Sequence, residues 1–377
     1  MIFFAFLGFL GVVLFTLQLA SILAATWRCK PRPRDLPAPH PAPPVSIVRP
    51  LSGVETFSED TLRSTFELNY PDYEIIFCVQ RANDPVVPLV ERLIAEHPRI
   101  PARLLIGDDP IGANPKLNNC VKGWNAARHD WIVLTDANVL LPKDYIQTLL
   151  KAWDRETGMV ISMPIGSRPQ GFWAEVECAI LNNFEARWMF AGELLGIGFA
   201  QGKNMLWRRE ILEKAGGIAA LSAELAEDAA GGKIVNAAGL NIRFVDMPFE
   251  QPLGARKALD IWSRQVRWAR LRRVTFPGYF APEPIAGAFV PFLLIGIYGF
   301  AYGLNPIPFV GAFAVIMYAA EMLLAWHAGW FLNWASPIAY LVRDLAFPGM
   351  WLTALLFDDF TWHGKSMSVK EPVPGSS

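Results

Sequence analysis

An α/β domain carried between membrane helices is the fold this sequence predicts, on three observations. Between residues 45 and 136, short apolar and β-branched runs alternate with helical patterns, the rhythm of a parallel sheet with crossover helices. Residues 1–27 and 284–320 contain no Asp, Glu, Lys or Arg. Carboxylates follow the second and fourth apolar runs, at Asp84 and Asp136, where ligands bind in sheets of this kind. Hydrophobic residues make up 53% of the 377 and charged residues 18%, against about 25% charged in average soluble domains. That balance excludes disorder of the bulk and favours an integral membrane protein. The formal charge of -1 leaves no basic excess for phosphate neutralisation, so no nucleic-acid partner is expected. Cys29, Cys78, Cys120 and Cys178 form no C-x-x-C pair, which points to neither a zinc knuckle nor a disulfide framework.

Taken in order, Phe3–Trp27 is long enough to cross a hydrocarbon core, which needs about 20 helical residues. Arg28, Lys30, Arg32 and Arg34 follow it. A cleaved signal peptide would carry its charge ahead of a shorter run, so 1–27 reads as an anchor, with residue 28 onward in the cytoplasm by the positive-inside rule. Residues 28–44, with seven prolines from Pro31 to Pro44, read as an extended linker. Residues 45–277 read as one cytoplasmic domain. Its expected strands are Val45–Leu51, Tyr73–Val79, Arg103–Ile106 and Trp131–Asp136. Helical patterns lie between them at Glu59–Leu68, Val86–Glu96 and Lys116–Ala127.

Residues 285–330 read as a membrane helical hairpin, Ile285–Tyr302 and Phe309–Trp330, broken at Gly303–Pro308. A third apolar segment, 337–357, contains Arg343, Asp344 and Pro348, and reads as re-entrant or interfacial in preference to a full span. Intramembrane charges are normally paired or near an interface. The tail, 358–377, carries Lys365 and Lys370. The whole reads as an integral protein of a bacterial inner membrane with its catalytic domain in the cytoplasm.

Three polar clusters carry the chemistry. In Thr135-Asp-Ala-Asn138, a carboxylate stands two residues from a second oxygen donor at a strand end. This suits either a turn that caps the next helix or a divalent cation shared with a diphosphate. Ala226-Glu227-Asp228 offers a carboxylate pair. Arg264-Gln-Val-Arg267-Trp268 puts two guanidinium groups on one helical face, a fork suited to phosphate oxygens. Arg270, Arg272 and Arg273 read as a basic collar at the lipid interface. The five His residues make no metal-spaced pair.

These strings resemble the ceramide glucosyltransferases, glycosyltransferase family 21, relatives of the large family 2. The residues that carry the likeness run nearly the whole chain. They are Val45-Ser-Ile-Val-Arg-Pro-Leu-Ser-Gly-Val-Glu55, Leu68-Asn-Tyr-Pro-Asp-Tyr-Glu74, Cys78-Val-Gln80 with Asp84-Pro85, Gly112-Ala-Asn-Pro-Lys-Leu-Asn-Asn119, Arg168-Pro-Gln-Gly-Phe172, Glu227-Asp228 and Arg264-Gln-Val-Arg-Trp268. The resemblance implies a GT-A type nucleotide-sugar domain, with an N-terminal transmembrane helix and the C-terminal hairpin. It implies a UDP-sugar donor bound by Arg49, Pro50, Asp84, Lys116, Asn118 and Asp136. It implies Mg²⁺ or Mn²⁺ on Asp136 and Asn138, the latter a neutral oxygen where the usual D-x-D has a second carboxylate. Asp228 would be the general base with Glu227 beside it, and Arg264, Arg267 and Trp268 would close the site over donor and acceptor. A processive synthase would usually show Gln at the position of Arg264, and more spans.

The implied reaction is an inverting transfer of a sugar, glucose foremost, from a UDP-sugar to a lipid hydroxyl, ceramide foremost. Diacylglycerol or a hopanoid as acceptor, and UDP-glucuronate or UDP-galactose as donor, would use the same machinery. The aromatic stretch Phe172–Gly202 reads either as core or as an interfacial groove for acyl chains, with Trp188, Phe190 and Gly202 as acceptor contacts.

Overall fold

Val45–Pro50 (β1), Tyr73–Val79 (β2), Ala102–Ile106 (β3) and Trp131–Thr135 (β4) lie at or within one residue of the apolar runs in the sequence. The computed structural model describes residues 1–30, 35–362 and 365–369. The linker residues 31–34 and the tail residues 363–364 and 370–377, with Arg32, Arg34 and Lys370, lie outside the described residues. The chain divides into two units. One comprises 32–165, 195–254 and 372–377, and the other 1–31, 166–194 and 255–371.

In the first unit, Thr157–Ile161 (β5), Asn204–Arg208 (here β6) and Asn241–Phe244 (β7) complete a seven-stranded sheet in the order β3-β2-β1-β4-β6-β5-β7. β1 pairs in parallel with both β2 and β4, Ile47 standing between Ile75 and Val133. Every residue of β1, β2 and β5 is buried, as strands covered on both faces must be. The α/β, GT-A type expectation is met. What the sequence did not announce is β6, which runs antiparallel between β4 and β5. Its register sets Thr135 opposite Asn204, and the Asp136 N–H donates to the Lys203 carbonyl at 3.0 Å. Residues 201–203 are thereby laid along the end of β4.

Two helices present their N-termini in this unit. Pro115–Ala126 begins with Pro at its first position, where no N–H is needed. Asn114 caps it, its Oδ1 accepting from the N–H of Lys116 at 2.9 Å and of Leu117 at 3.1 Å. Glu227–Ala237 carries Glu227 and Asp228 in its first turn, where negative charge suits the helix dipole.

The second unit is helical. Ile2–Arg28 and Pro306–Ala328 are long and apolar enough to cross a membrane by length and composition, and Phe289–Ala301 is a shorter apolar helix. The first arm of the expected hairpin is thus 13 residues long. Glu283–Ala286 is a separate 3₁₀ turn, and Gly287 is extended ahead of the arm. Ser336–Leu356 is one helix that continues through Pro348. Small residues let these helices approach closely. A Cβ on Gly8 would stand 2.4 Å from the Tyr298 ring, and one on Gly11 2.9 Å from Ile295.

Arg343 and Asp344 are buried and paired, as intramembrane charges are expected to be. Arg343 donates to both Glu321 oxygens at 3.0 Å and to Asp344 at 2.9 and 3.0 Å. Arg187 adds a bond to Glu321 Oε1 at 3.0 Å and one to Gln18 Oε1 at 2.9 Å. Arg187 follows a π-helical turn, Leu181–Ala186, inside the run Phe172–Leu194. Single π-turns inside α-helices are frequent at functional sites.

Candidate functional site

Arg49, at the end of β1, is fully buried and organises the loop after β4. It donates to the carbonyls of Asp136 at 2.8 Å, Ala137 at 3.0 Å and Val139 at 3.0 Å, and its other fork reaches Thr61 and Thr65. Burial lowers its pKa to about 10, against the opposing pull of Tyr145 and Asp136. Its hydrogen bonds therefore go to the frame that aims Asp136. Pro50 is buried beside it. Asp84 accepts from Gly53 N–H at 3.0 and 3.2 Å and from Val86 N–H at 2.9 Å, tying the loop after β1 to the loop after β2. Gly53 has φ +70, a conformation that favours glycine. Asn118 accepts from the N–H groups of Ile111 and Gly112 and returns a bond to the Gly112 carbonyl, closing the 111–112 turn. A depression lined by Ser52, Gly53, Thr56, Ala137, Asn138 and Leu253 opens beside these loops.

Two carboxylates and a backbone carbonyl converge on Lys116. Its Nζ is 2.6 Å from Asp136 Oδ1, 2.6 Å from Glu227 Oε1 and 2.5 Å from the Gly202 carbonyl. The other Glu227 oxygen accepts from Asn114 Nδ2 at 2.6 Å, so this carboxylate is held at both ends. Asp228 accepts from Gly202 N–H at 2.8 Å through Oδ2 and from Ala229 N–H at 2.8 Å through Oδ1. Gly202 lies in the middle of the group. A Cβ there would meet Glu227 Oε1 at 2.6 Å, Lys116 Nζ at 3.1 Å and Asp228 Oδ2 at 3.3 Å. Lys203 completes the set, its Nζ 2.9 Å from Asp136 Oδ2 and 3.1 Å from Asn138 Oδ1.

The electrostatics separate two carboxylates. Burial works against ionising Asp136, but Lys116 and Lys203 outweigh it and hold the pKa down to about 2. Burial and the neighbouring Glu227 push Asp228 up to about 6, with Lys116 opposing. Burial likewise disfavours the Lys116 ammonium, yet Asp136 and Glu227 raise its pKa above the usual lysine value. One carboxylate is thus fixed as an anion, and the other is poised to exchange a proton near neutrality.

Among the described residues no three His, Cys, Asp or Glu side chains gather to hold a metal. Asp136 and Asn138 nevertheless offer two oxygens around one cationic group, the Lys203 ammonium. Asp136 Oδ1 is buried with only the Lys116 ammonium beside it at 2.6 Å, and a carboxylate oxygen has a second lone pair to offer. Two protein oxygens completed by phosphate and water suit Mg²⁺, and the set fits a cation that arrives with a diphosphate.

The remaining expected residues belong to the helical unit. Arg264 pairs with Glu177, a fully buried carboxylate that Arg256 also reaches at 3.2 Å. Burial, with Arg264 nearby, lowers the Arg267 pKa to about 10. Trp268 is half-buried on the same helix, Ala258–Thr275. Trp188 is half-buried and donates through Nε1 to the Ala286 carbonyl at 2.8 Å. Phe190 is 0% exposed, with the Arg28 guanidinium 5.5 Å from its ring centroid, so it presents no surface to an acyl chain in this structure. Phe172 and Trp173 are the exposed aromatics of this stretch.

Sequence reasoning named Lys116, Asp136, Asn138, Glu227 and Asp228 in separate roles and Gly202 as an acceptor contact; the structure gathers all six around the Lys116 and Lys203 ammonium groups. Sequence reasoning passed over Asn114 and Lys203. Lys203 is the only basic residue between Trp188 and Trp207, a signal that gains meaning once β6 is known to run beside β4.

A description of glycosyl transferase family 21 matches residues 13–372. Ceramide glucosyltransferase 1 of Caenorhabditis elegans is 27% identical over 286 residues, covering 75% of this chain and 60% of that protein. Ceramide glucosyltransferase 3 of the same organism is 24% identical over 365 residues, covering 95% of this chain and 79% of that protein. Among solved structures, a mannosyltransferase of Pyrobaculum calidifontis in complex with GDP-Man and Mn²⁺ is similar over 90% of this chain and 99% of its own, at 20% identity and a TM-score of 0.49.

Proposed function

The chain belongs to glycosyl transferase family 21, and from that premise we propose that it transfers a sugar, glucose foremost, from a UDP-sugar to the hydroxyl of a membrane lipid, ceramide foremost, with inversion to a β-glycoside. The names of the two worm relatives support the lipid and the sugar. The observation that carries the chemistry is the Lys116 ammonium, which joins the anionic Asp136 to the Glu227–Asp228 pair within one buried cluster.

In this reading Asp228 is the base. An acceptor hydroxyl has a pKa far above 7 and needs a proton acceptor within hydrogen-bond reach. Asp228, raised to about 6, is mostly ionised at neutral pH and more basic than an ordinary carboxylate. It takes the hydroxyl proton as the oxygen attacks the anomeric carbon and the bond to UDP breaks. Lys116 sets a fixed positive charge beside the diphosphate oxygens where negative charge develops. Asp136 and Asn138 hold the cation, which when bound supplies further positive charge against the departing UDP. Glu227 fixes the Lys116 ammonium, and Arg49, Asp84 and Asn118 hold the loops around the donor. Phe172, Trp173 and Trp188 give the helical unit a surface for the acyl chains.

The first helix anchors the chain in the membrane. Arg28 and Lys30 after it support a cytoplasmic side for the sheet-containing unit, by the positive-inside rule.

The test is the full chain in lipid nanodiscs, supplied with UDP-glucose, UDP-galactose or UDP-glucuronate and with ceramide, diacylglycerol or a hopanoid polyol. Mass spectrometry reports the pair used, and the anomeric proton coupling reports the linkage. β-Glucosylceramide is expected. An α-linked product would overturn the inverting mechanism, and transfer to none of the lipids would overturn the acceptor class.

A further inference from the structure

Lys203 faces Asp136 across the β4–β6 pair, held there by the backbone bond from Asp136 N–H to its own carbonyl. Its ammonium sits between Asp136 Oδ2 at 2.9 Å and Asn138 Oδ1 at 3.1 Å, and its side chain is 14% exposed. Those are the two residues assigned above to a divalent cation. Mg²⁺ on these oxygens would stand about 2.0–2.1 Å from each. It would meet a like charge on the same oxygens, and like charges sharing a site disfavour one another.

The two lysines at Asp136 are not equivalent. Lys116 is fixed by three oxygens, from Asp136, Glu227 and Gly202. Lys203 is held by the two oxygens that a metal would take. Lys203 is therefore the group that yields.

We propose that Lys203 is the protein's own counter-cation at this site: a divalent metal displaces it from Asp136 and Asn138, and the freed ammonium turns to the diphosphate that the metal accompanies. The proposal rests on the metal assignment of the preceding subsection. It names a positioning residue that couples the two ligands. Metal alone must compete with Lys203 and binds weakly. Metal with the nucleotide gives the displaced ammonium a new anionic partner, so each ligand strengthens the other.

The full chain in nanodiscs is titrated with Mn²⁺ alone, followed by the Mn²⁺ spin-resonance signal, and with UDP at fixed Mn²⁺ by calorimetry. Lys203→Met should bind Mn²⁺ alone tenfold or more tightly than wild type, and should bind UDP in the presence of Mn²⁺ tenfold or more weakly. Opposite shifts in two affinities are not produced by a damaged fold. Lys203→Arg keeps the charge and should leave Mn²⁺ binding within about threefold of wild type. Asp136→Ala should lose Mn²⁺ binding. If Lys203→Met leaves the Mn²⁺ affinity unchanged or weaker while Asp136→Ala abolishes it, the counter-cation proposal falls and the metal site stands. If Lys203→Arg binds Mn²⁺ as tightly as Lys203→Met does, charge is not the competitor and the proposal is overturned. If Asp136→Ala binds Mn²⁺ like wild type, the metal assignment fails and takes this proposal with it.

Discussion

The Lys116 ammonium lies 2.6 Å from Glu227 Oε1, so a residue at the start of one helix neutralises a carboxylate in the first turn of another. Removing one partner of a buried ion pair costs about 3–5 kcal/mol, because the other charge is left uncompensated. Lys116→Met should accordingly lower the thermal unfolding midpoint and abolish turnover. Adding Glu227→Gln to it should recover part of the stability and none of the activity. A double variant as destabilised as the two singles combined would show that the pair is not coupled.

Asp228→Asn keeps the size of the side chain but cannot take a proton. Loss of a general base costs about 10²–10⁴-fold in rate. Turnover should fall by that amount while UDP-sugar affinity persists, since the base acts on the acceptor. Glu227→Gln provides the comparison. If it loses turnover while Asp228→Asn stays near wild type, the base is Glu227.

The activity should have an acid limb near pH 6. Burial and Glu227 raise Asp228 to about 6, so below that pH the base is protonated and kcat/KM falls about tenfold per unit. Above it the profile should be flat until another group intervenes. Glu227→Gln removes a negative neighbour and should move the limb to lower pH. A limb that stays in place would remove Glu227 as a cause of the shift.

Gly202 is the one position in the cluster where a single methyl tests the packing. Alanine there would place its Cβ 2.6 Å from Glu227 Oε1, and that carboxylate cannot swing away without releasing Lys116 or Asn114. Displacements near 1 Å can cost about 10²-fold in rate. Gly202→Ala should lose turnover on that scale, and Glu227→Asp in the same chain should restore some of it. Full activity in Gly202→Ala would mean that the Lys116–Glu227 contact is dispensable.

Topology can be read from Leu304, which is 45% exposed between Phe289–Ala301 and Pro306–Ala328. The four native cysteines are buried, so a Leu304→Cys variant should carry the reactive thiol. An impermeant maleimide should label it from outside intact cells. Labelling only after the cells are opened would reject the hairpin and the orientation built on it.

Strands β1 to β4 were legible because each holds a short apolar or β-branched core between helical patterns, and the carboxylates after β2 and β4, Asp84 and Asp136, marked the ligand side. β6 was not. Asn204-Met-Leu-Trp-Arg is too short to declare its direction, and direction decides what Lys203 faces. Asp84 and Asn118 illustrate a second limit. Their positions were readable, but their side-chain bonds to Gly53 and to residues 111–112 depend on loop conformations that no periodicity encodes. Phe190 illustrates a third. An aromatic stretch at helical spacing does not say which ring is covered, and here Phe190 is 0% exposed while Phe172 and Trp173 are open.

The buried charges of the helical unit also bear on the order in which the chain is made. Arg187 leaves the ribosome 134 residues before Glu321, so this carboxylate, carried in a helix long and apolar enough to cross a membrane, finds a basic partner already synthesised. Arg343 and Asp344 then arrive as adjacent residues of opposite sign, bonded to each other at 2.9 and 3.0 Å. Once Glu321 has met Arg187, nothing later in this set brings net charge into the helical unit. Glu321→Gln would break that balance at its first step, leaving Arg187 without its partner during insertion, so the expected defect is in the amount of protein that reaches the membrane, ahead of any change in the protein that does.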